Sequence, residues 1–192
     1  MRNKQKFEKV VFLDRDGVIN RDSPDYIKSW SEFVFLPGSL EAIQQLTSNG
    51  FAIIIVTNQS AINRSLISKK ELEHMHRLMD KDVHSHGGRI DDIFYCPHIP
   101  ADSCDCRKPK PGLIYRAREA YQIDLAGSIL IGDSVRDIAC ARNAGCGQAV
   151  LVRTGYGIEA QKVLSQKGIS ADYIADDLYE AVGWINRDLT LK

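Results

Sequence analysis

A doubly wound α/β fold with a mainly parallel sheet is the architecture this sequence predicts, and three observations predict it. Short apolar runs alternate with amphipathic helical stretches along most of the chain. The runs are apolar almost without interruption, as strands buried on both faces require. Polar residues, aspartates above all, stand directly after several of these runs, where the carboxyl ends of parallel strands form a ligand crevice.

The elements follow in order. Residues 10–13 (Val-Val-Phe-Leu) form the first strand, and a helix starting near Ser39, after Pro37-Gly38, carries Leu40, Ile43 and Leu46 at helical spacing. The second strand, 51–56, is rich in β-branched residues. Ser68-Lys69-Lys70-Glu71 has the capping-box pattern, and Leu72, Met75, Met79 and Val83 then share one face as core packing. Strands are expected at 90–95, 129–131 and 149–152, with a short one at 173–174. Pro111-Gly112 opens a helix bearing Leu113, Ile114, Ala117 and Tyr121, and further helices cover 135–144, 158–166 and 178–188. Right-handed crossovers would join the parallel strands.

Composition bounds the function. The 192 residues hold 25 Lys+Arg and 25 Asp+Glu, with 44% hydrophobic and 26% charged residues, which suits one compact domain over 1–192 and excludes a disordered chain. Zero net charge supplies no general attraction to nucleic acid or an anionic membrane. The longest apolar run, 51–56, is far short of the ~20 residues of a membrane helix. The four apolar residues behind the basic start are too few for a signal peptide, so a cytoplasmic protein is expected. Five cysteines, an odd number, fit reduced thiols.

Two groups of residues carry chemistry. Asp14-Arg15-Asp16-Gly17 puts two carboxylates two positions apart beyond the first strand, although Asp-x-Asp-Gly is also ordinary turn chemistry. No glycine-rich dinucleotide or P-loop pattern follows that strand, and the spacing is not that of a calcium loop. Thr57 follows the second strand, Cys96 the third and Asp133 the fourth. Asp14, Asp133 and the backbone carbonyl of Asp16 together make a hard-oxygen set suited to Mg²⁺. Asp137 either orients its neighbours or is a solvated residue favoured by the helix dipole. Cys96-Pro97-His98 and Cys104-Asp105-Cys106 offer three thiols and an imidazole, a structural zinc set. The one-residue spacers are tighter than usual, and free thiols beside a loop histidine are the alternative. His74, His76, His84 and His86 read as exposed or partly packed helix residues, Cys140 and Cys146 as small residues at a helix end.

Asp14-x-Asp16-Gly-Val-Ile, Thr57-Asn58-Gln59, Lys108 before Pro109 and Gly132-Asp133-x-x-x-Asp137 resemble, in order, the four motifs of the haloacid dehalogenase superfamily of phosphohydrolases. The resemblance covers residues 10 to 137 and implies a Rossmann-like sheet and Mg²⁺ as cofactor. It implies Asp14 as nucleophile, Asp16 as general acid and base, and Thr57, Asn58 and Lys108 on the phosphoryl group. The cysteine pairs and the Arg107-Lys108-Pro109 that follows are similar to a zinc-bearing branch of that superfamily. This implies structural Zn²⁺ on Cys96, His98, Cys104 and Cys106, pinning the loop that presents Arg107 and Lys108.

Only 42 residues separate Asp14 from Thr57, and 50 separate Thr57 from Lys108, too few for an inserted cap domain. Substrate contacts would come from short loops and strand ends: Asn20, Asp22 and Asp25; Asn58, Gln59 and Ser60; Arg107 and Lys108; and Ser134, where some members carry Lys. The five-residue loop between the zinc pairs is a second departure. The branch implies removal of the 7-phosphate of a heptose 1,7-bisphosphate, a step toward lipopolysaccharide core, with histidinol phosphate as the alternative substrate. A monomer acting on a small phosphorylated sugar, with no nucleic-acid or membrane partner, is the expectation. A catalytically silent zinc-binding interaction module is the reading of a different class, and the carboxylate set argues against it.

Overall fold

The computed structural model of the chain describes residues 6–190; the start of the basic N-terminal stretch lies outside them. Six strands form one sheet: β1 (Val10–Leu13), β2 (Ala52–Asn58), β3 (Asp92–Cys96), β4 (Ile129–Gly132), β5 (Gln148–Val152) and β6 (Tyr173–Ala175). Their order is β3-β2-β1-β4-β5-β6, and every pairing is parallel. The helices are α1 (Ser39–Ser48), α2 (Lys69–Ser85), α3 (Gly112–Tyr121), α4 (Val135–Ala144), α5 (Gly157–Lys167) and α6 (Leu178–Thr190).

The uninterrupted apolarity of the strands now has its cause. Side chains alternate across a strand, and here both faces are covered. Val11, Leu13, Ile53, Ile55, Ile131 and Val150 pack with α1, α2 and α6 residues such as Ile43, Leu72, Met75 and Ile185. Val10, Phe12, Ile54, Val56, Leu130 and Leu151 pack on the other face with Ile114, Ile138 and Leu164 of α3, α4 and α5. Each fully buried aliphatic contributes about 1.5–3 kcal/mol, so the two half-cores together fix the register that delivers the polar strand ends.

Local signals hold where capping chemistry is explicit. Ser68 accepts the Glu71 N–H, and the Glu71 carboxylate accepts the Ser68 N–H, closing the predicted capping box of α2. The second and third strands reach further than the apolar runs, with Thr57 paired to Tyr95 and Asn58 to Cys96. The backbone ladder is indifferent to hydropathy, so it carries polar residues into strand conformation. Thr57 and Cys96 are therefore strand residues rather than residues after a strand.

Candidate active site

The chain winds from β1 outward through β2 to β3, then returns to β4 and winds the other way through β5 and β6. β1 and β4 thus flank the point where winding reverses, the place where open α/β sheets leave a crevice. Asp14 leaves β1 with its N–H still donating to the Ile131 carbonyl of β4 at 3.0 Å. Asp133 follows the end of β4, and one of its oxygens, Oδ2, accepts the Tyr156 N–H at 2.8 Å. Two glycines make room for that carboxylate. A Cβ on Gly17 (φ +83°) would lie 2.2 Å from Asp133 Oδ2, and one on Gly155 (φ +56°) 2.0 Å from it.

Lys108 is the electrostatic centre. Its buried Nζ lies 2.9 Å from Asp14 Oδ2 and 2.6 Å from Asp137 Oδ1. The Asn58 side chain fixes the lysine from β2: its Oδ1 accepts the Lys108 N–H at 3.1 Å and its Nδ2 donates to the Lys108 carbonyl at 3.3 Å. Asp137 is fully buried, and its Oδ2 accepts both the backbone N–H and the hydroxyl of Ser134. Of the two readings of Asp137, the structure supports the orienting one. Ser134 borders the cleft, but its hydroxyl is committed to Asp137.

Three carboxylates share one ammonium. Burial pushes Asp14 up to about 6 against the pull of Lys108, and burial plus the charges of Asp137 and Asp14 pushes Asp133 up to about 8. Oxygens of Asp14, Asp133 and Asp137 lie within 4.8 Å of one another. A cluster of hard oxygens short of positive charge fits a divalent cation of the Mg²⁺ type.

Asp16 is treated differently. Arg15, itself 1% exposed, grips it with Nη2 at 2.8 and 2.9 Å and Nε at 3.1 Å, Asn20 donates at 2.9 Å and Gln59 at 2.7 Å. Burial pushes the Asp16 carboxyl up, but the Arg15 charge and these hydrogen bonds outweigh it and hold the group below the usual carboxylate range. Gln59 also donates to Thr57 Oγ1 at 3.0 Å, tying the end of β2 to the same carboxylate.

These groups line a cleft of about 230 Å³. Of the expected residues it receives Asp14, Asp16, Asp22 and Thr57, then Asn58, Gln59 and Ser60, then Arg107, Lys108, Asp133 and Ser134. Two expected substrate contacts are not on its wall. Asn20 is fully buried, and its Nδ2 donates to Asp16 and to the Arg21 carbonyl, so it positions a carboxylate. Asp25 is exposed on the turn beyond, where its carbonyl accepts Lys28 Nζ at 2.9 Å. Asn58, expected to donate to a phosphoryl group, has its side-chain amide engaged by the Lys108 backbone.

Tyr26, at the end of the 20–26 loop, also lines the cleft, and so do Arg136, Tyr156 and Ile27, which are not among the expected residues. Arg136 had a signal, its place between Asp133 and Asp137. Tyr156 had none, because only the fold brings the β5–α5 loop over Asp133.

The cysteine pairs converge as well. Cys106 Sγ lies 3.2 Å from Cys96 Sγ, 3.5 Å from Cys104 Sγ and 3.2 Å from His98 Nδ1, and Cys96 Sγ lies 3.6 Å from Cys104 Sγ and 3.5 Å from His98 Nδ1. A tetrahedron with ~2.3 Å Zn–S bonds has edges of roughly 3.8 Å, close to these separations, and all five cysteines are free thiols. The four side chains could therefore hold Zn²⁺. The zinc jaws sit beside the cleft because Arg107, next to Cys106, donates to the His98 carbonyl at 2.9 Å.

Comparison with known proteins agrees with this geometry. The family described as haloacid dehalogenase-like hydrolase matches residues 2–142. A D-glycero-beta-D-manno-heptose-1,7-bisphosphate 7-phosphatase of Pseudomonas aeruginosa is 44% identical over 88% of this chain and 93% of its own. Its counterpart in Pseudomonas putida is 45% identical over 88% and 95%. The solved structure of a D,D-heptose 1.7-bisphosphate phosphatase from B. bronchiseptica, complexed with magnesium and phosphate, has a TM-score of 0.88 at 40% identity, covering 94% of this chain and 99% of that one. No helix of the described residues is long and apolar enough to cross a membrane. Motifs, sheet order and similarity over most of the length converge: the chain belongs to the haloacid dehalogenase-like hydrolase family.

Proposed function

We propose that the chain is a capless, single-domain phosphatase that removes the 7-phosphate of D-glycero-β-D-manno-heptose 1,7-bisphosphate and leaves the 1-phosphate. The observation that carries this reading is the Asp14–Lys108–Asp137–Asp133 cluster at the winding reversal, beside a separately clamped Asp16. The substrate is taken from the relatives that share about 44% of the sequence.

In this reading an Asp14 carboxylate oxygen attacks phosphorus, the phosphorus–ester oxygen bond breaks, and the departing alkoxide takes a proton from Asp16. A phosphoryl dianion arriving beside Asp16 raises its proton affinity, offsetting the hold of Arg15. Water then attacks the aspartyl-phosphate, Asp16 takes back a proton, and inorganic phosphate leaves Asp14. Thr57 and Lys108 neutralise charge on the phosphoryl oxygens. Arg107, Arg136 and the loop carrying Asp22 face the rest of the substrate. Asp14, Asp133 and the carbonyl of Asp16 would hold Mg²⁺, whose charge, when bound, offsets that of the carboxylates and the phosphate. Zn²⁺ on Cys96, His98, Cys104 and Cys106 would keep Arg107 and Lys108 in place. Five unpaired thiols support a reducing, cytoplasmic setting, and a monomer suffices for the cleft.

The test is phosphate release, with and without Mg²⁺, from both anomers of heptose 1,7-bisphosphate, histidinol phosphate and a 3′-phosphorylated oligonucleotide. Mg²⁺-dependent turnover dominated by the β-anomer, abolished by Asp14→Asn, is expected. Preferred turnover of either non-heptose substrate overturns the assignment.

A further inference from the structure

Arg15 is a fully buried guanidinium with a partner that the reaction scheme leaves unused. While Nε and Nη2 grip Asp16, Nη1 lies 3.2 Å from Nε2 of His76 on α2, sixty-one residues away in the chain. Arginine only donates, so Nε2 is the accepting nitrogen and the imidazole proton sits on Nδ1. The ring is 7% exposed and meets the edge of Tyr95 at a centroid distance of 5.9 Å. The Phe33 ring lies 5.8 Å from the Arg15 guanidinium carbon. Burial and the Arg15 charge push His76 down to about 3, so it stays a neutral acceptor throughout the working range.

We propose that His76 is a positioning residue for proton transfer: it anchors Arg15 on the side away from Asp16, and Arg15 in turn holds the Asp16 carboxylate in line. The inference rests on Asp16 acting as general acid and base. A guanidinium is a rigid plane, and two of its nitrogens are fixed by one carboxylate. A third contact on Nη1 sets the orientation of that plane. Without it, Nη1–H is a buried donor with no acceptor, and relief comes from rotating Arg15, which drags the carboxylate with it. Asn20 and Gln59 hold the Asp16 oxygens, and Asn20 meets Arg15 through its backbone N–H on the Arg15 carbonyl rather than through the guanidinium.

Leaving groups read this role directly. An alkyl phosphate needs a proton from Asp16 to release its alkoxide, whereas 4-nitrophenyl phosphate releases a stable phenolate without one. Single-turnover leaving-group release is therefore compared for the two esters in His76→Leu, His76→Gln and His76→Asn, with thermal unfolding of each. His76→Leu should slow the alkyl ester about tenfold and the nitrophenyl ester less than about threefold, with KM little changed. His76→Gln, whose amide oxygen reaches about as far as Nε2, should restore the ratio to within about twofold, while the shorter His76→Asn should not. Equal losses for both esters in His76→Leu, or no loss, overturn the proposal. If that variant does not fold, the Gln–Asn comparison decides, and identical ratios for the two refute it. Asp14→Asn in the same assay separates the two levels: retained turnover there refutes the nucleophile assignment itself, whatever the His76 variants do.

Discussion

Replacing Lys108 by methionine removes the ammonium that lies between Asp14 and Asp137 while nearly preserving volume. Its Nζ contacts, 2.9 Å to Asp14 and 2.6 Å to Asp137, each correspond to about 6 kcal/mol of gross attraction at an effective dielectric of about 20. Desolvation of the buried groups takes back much of that, and truncating one partner of a buried pair costs about 3–5 kcal/mol net. For a chain of this size each kcal/mol moves Tm by about 2–4 °C, so metal-free Lys108→Met should melt about 6–20 °C below the parent. Mg²⁺ should raise the variant's Tm more than the parent's, because the cation then offsets a larger excess of negative charge. Turnover should fall about 10²–10³-fold, the loss typical of a donor to a charged transition state. The measurement is differential scanning calorimetry with EDTA and with saturating Mg²⁺, alongside phosphate release. A variant whose EDTA Tm stays within about 2 °C of the parent would show that Lys108 does not balance these carboxylates.

The pH dependence of metal-free stability follows from the same cluster. Asp14 and Asp133 are raised from their ordinary 3.8 to about 6 and about 8, so the folded protein retains protons that the unfolded chain has already released. That stability is fully present below about pH 4 and is lost as pH rises through 6 to 8, so Tm in EDTA should fall over that interval and Mg²⁺ should flatten the fall. Asp16, held low, contributes with the opposite sign, and its contribution is lost as pH falls below about 4. Stripping zinc with a chelator should expose the segment between the cysteine pairs to protease and raise KM about tenfold through Arg107, with a smaller change in kcat; a zinc-free preparation with the parent's KM refutes the pinned loop. Gly155→Ala would place its Cβ 2.0 Å from Asp133 Oδ2 and should weaken Mg²⁺ activation by at least tenfold in a metal titration; an unchanged Mg²⁺ midpoint would mean that the glycine is not needed for room.

The sheet was legible because its signals are local. Continuous apolar runs mark strands covered on both faces, and punctuation such as Ser68-x-x-Glu71 marks helix starts. Polar residues at strand ends point to Asp14, Thr57 and Asp133, the motif order adds Lys108, and all four border one cleft. The division of labour inside it was less visible. Asn20 and Asn58 have the polarity of ligand contacts, but the Asn20 Nδ2 is engaged by Asp16 and the Asn58 amide by the Lys108 backbone. By residue type alone His76 reads as a bland helix residue, although it falls four positions after Leu72, on the buried stripe of α2. Periodicity could have placed it inside. Its contact with Arg15 depends on how α2 lies against the β1 turn, which no local pattern encodes.

The Asp14 N–H bond to the Ile131 carbonyl has a consequence for how the protein loses activity on heating. Asp14, the proposed nucleophile, is the last rung of the central β1–β4 ladder rather than a loop residue. Its separation from the Asp133 strand is set by strand spacing, and it cannot widen while that ladder persists. Amide exchange at Asp14 should therefore require opening of the sheet centre and rank among the slowest in the molecule, while the amides of Asp22, Ser23, Asp25 and Tyr26 exchange early. The proposed nucleophile thus sits in the part expected to melt last, and the proposed substrate loop in the part expected to loosen first. On warming, selectivity among phosphate esters should decay before the capacity to hydrolyse them does.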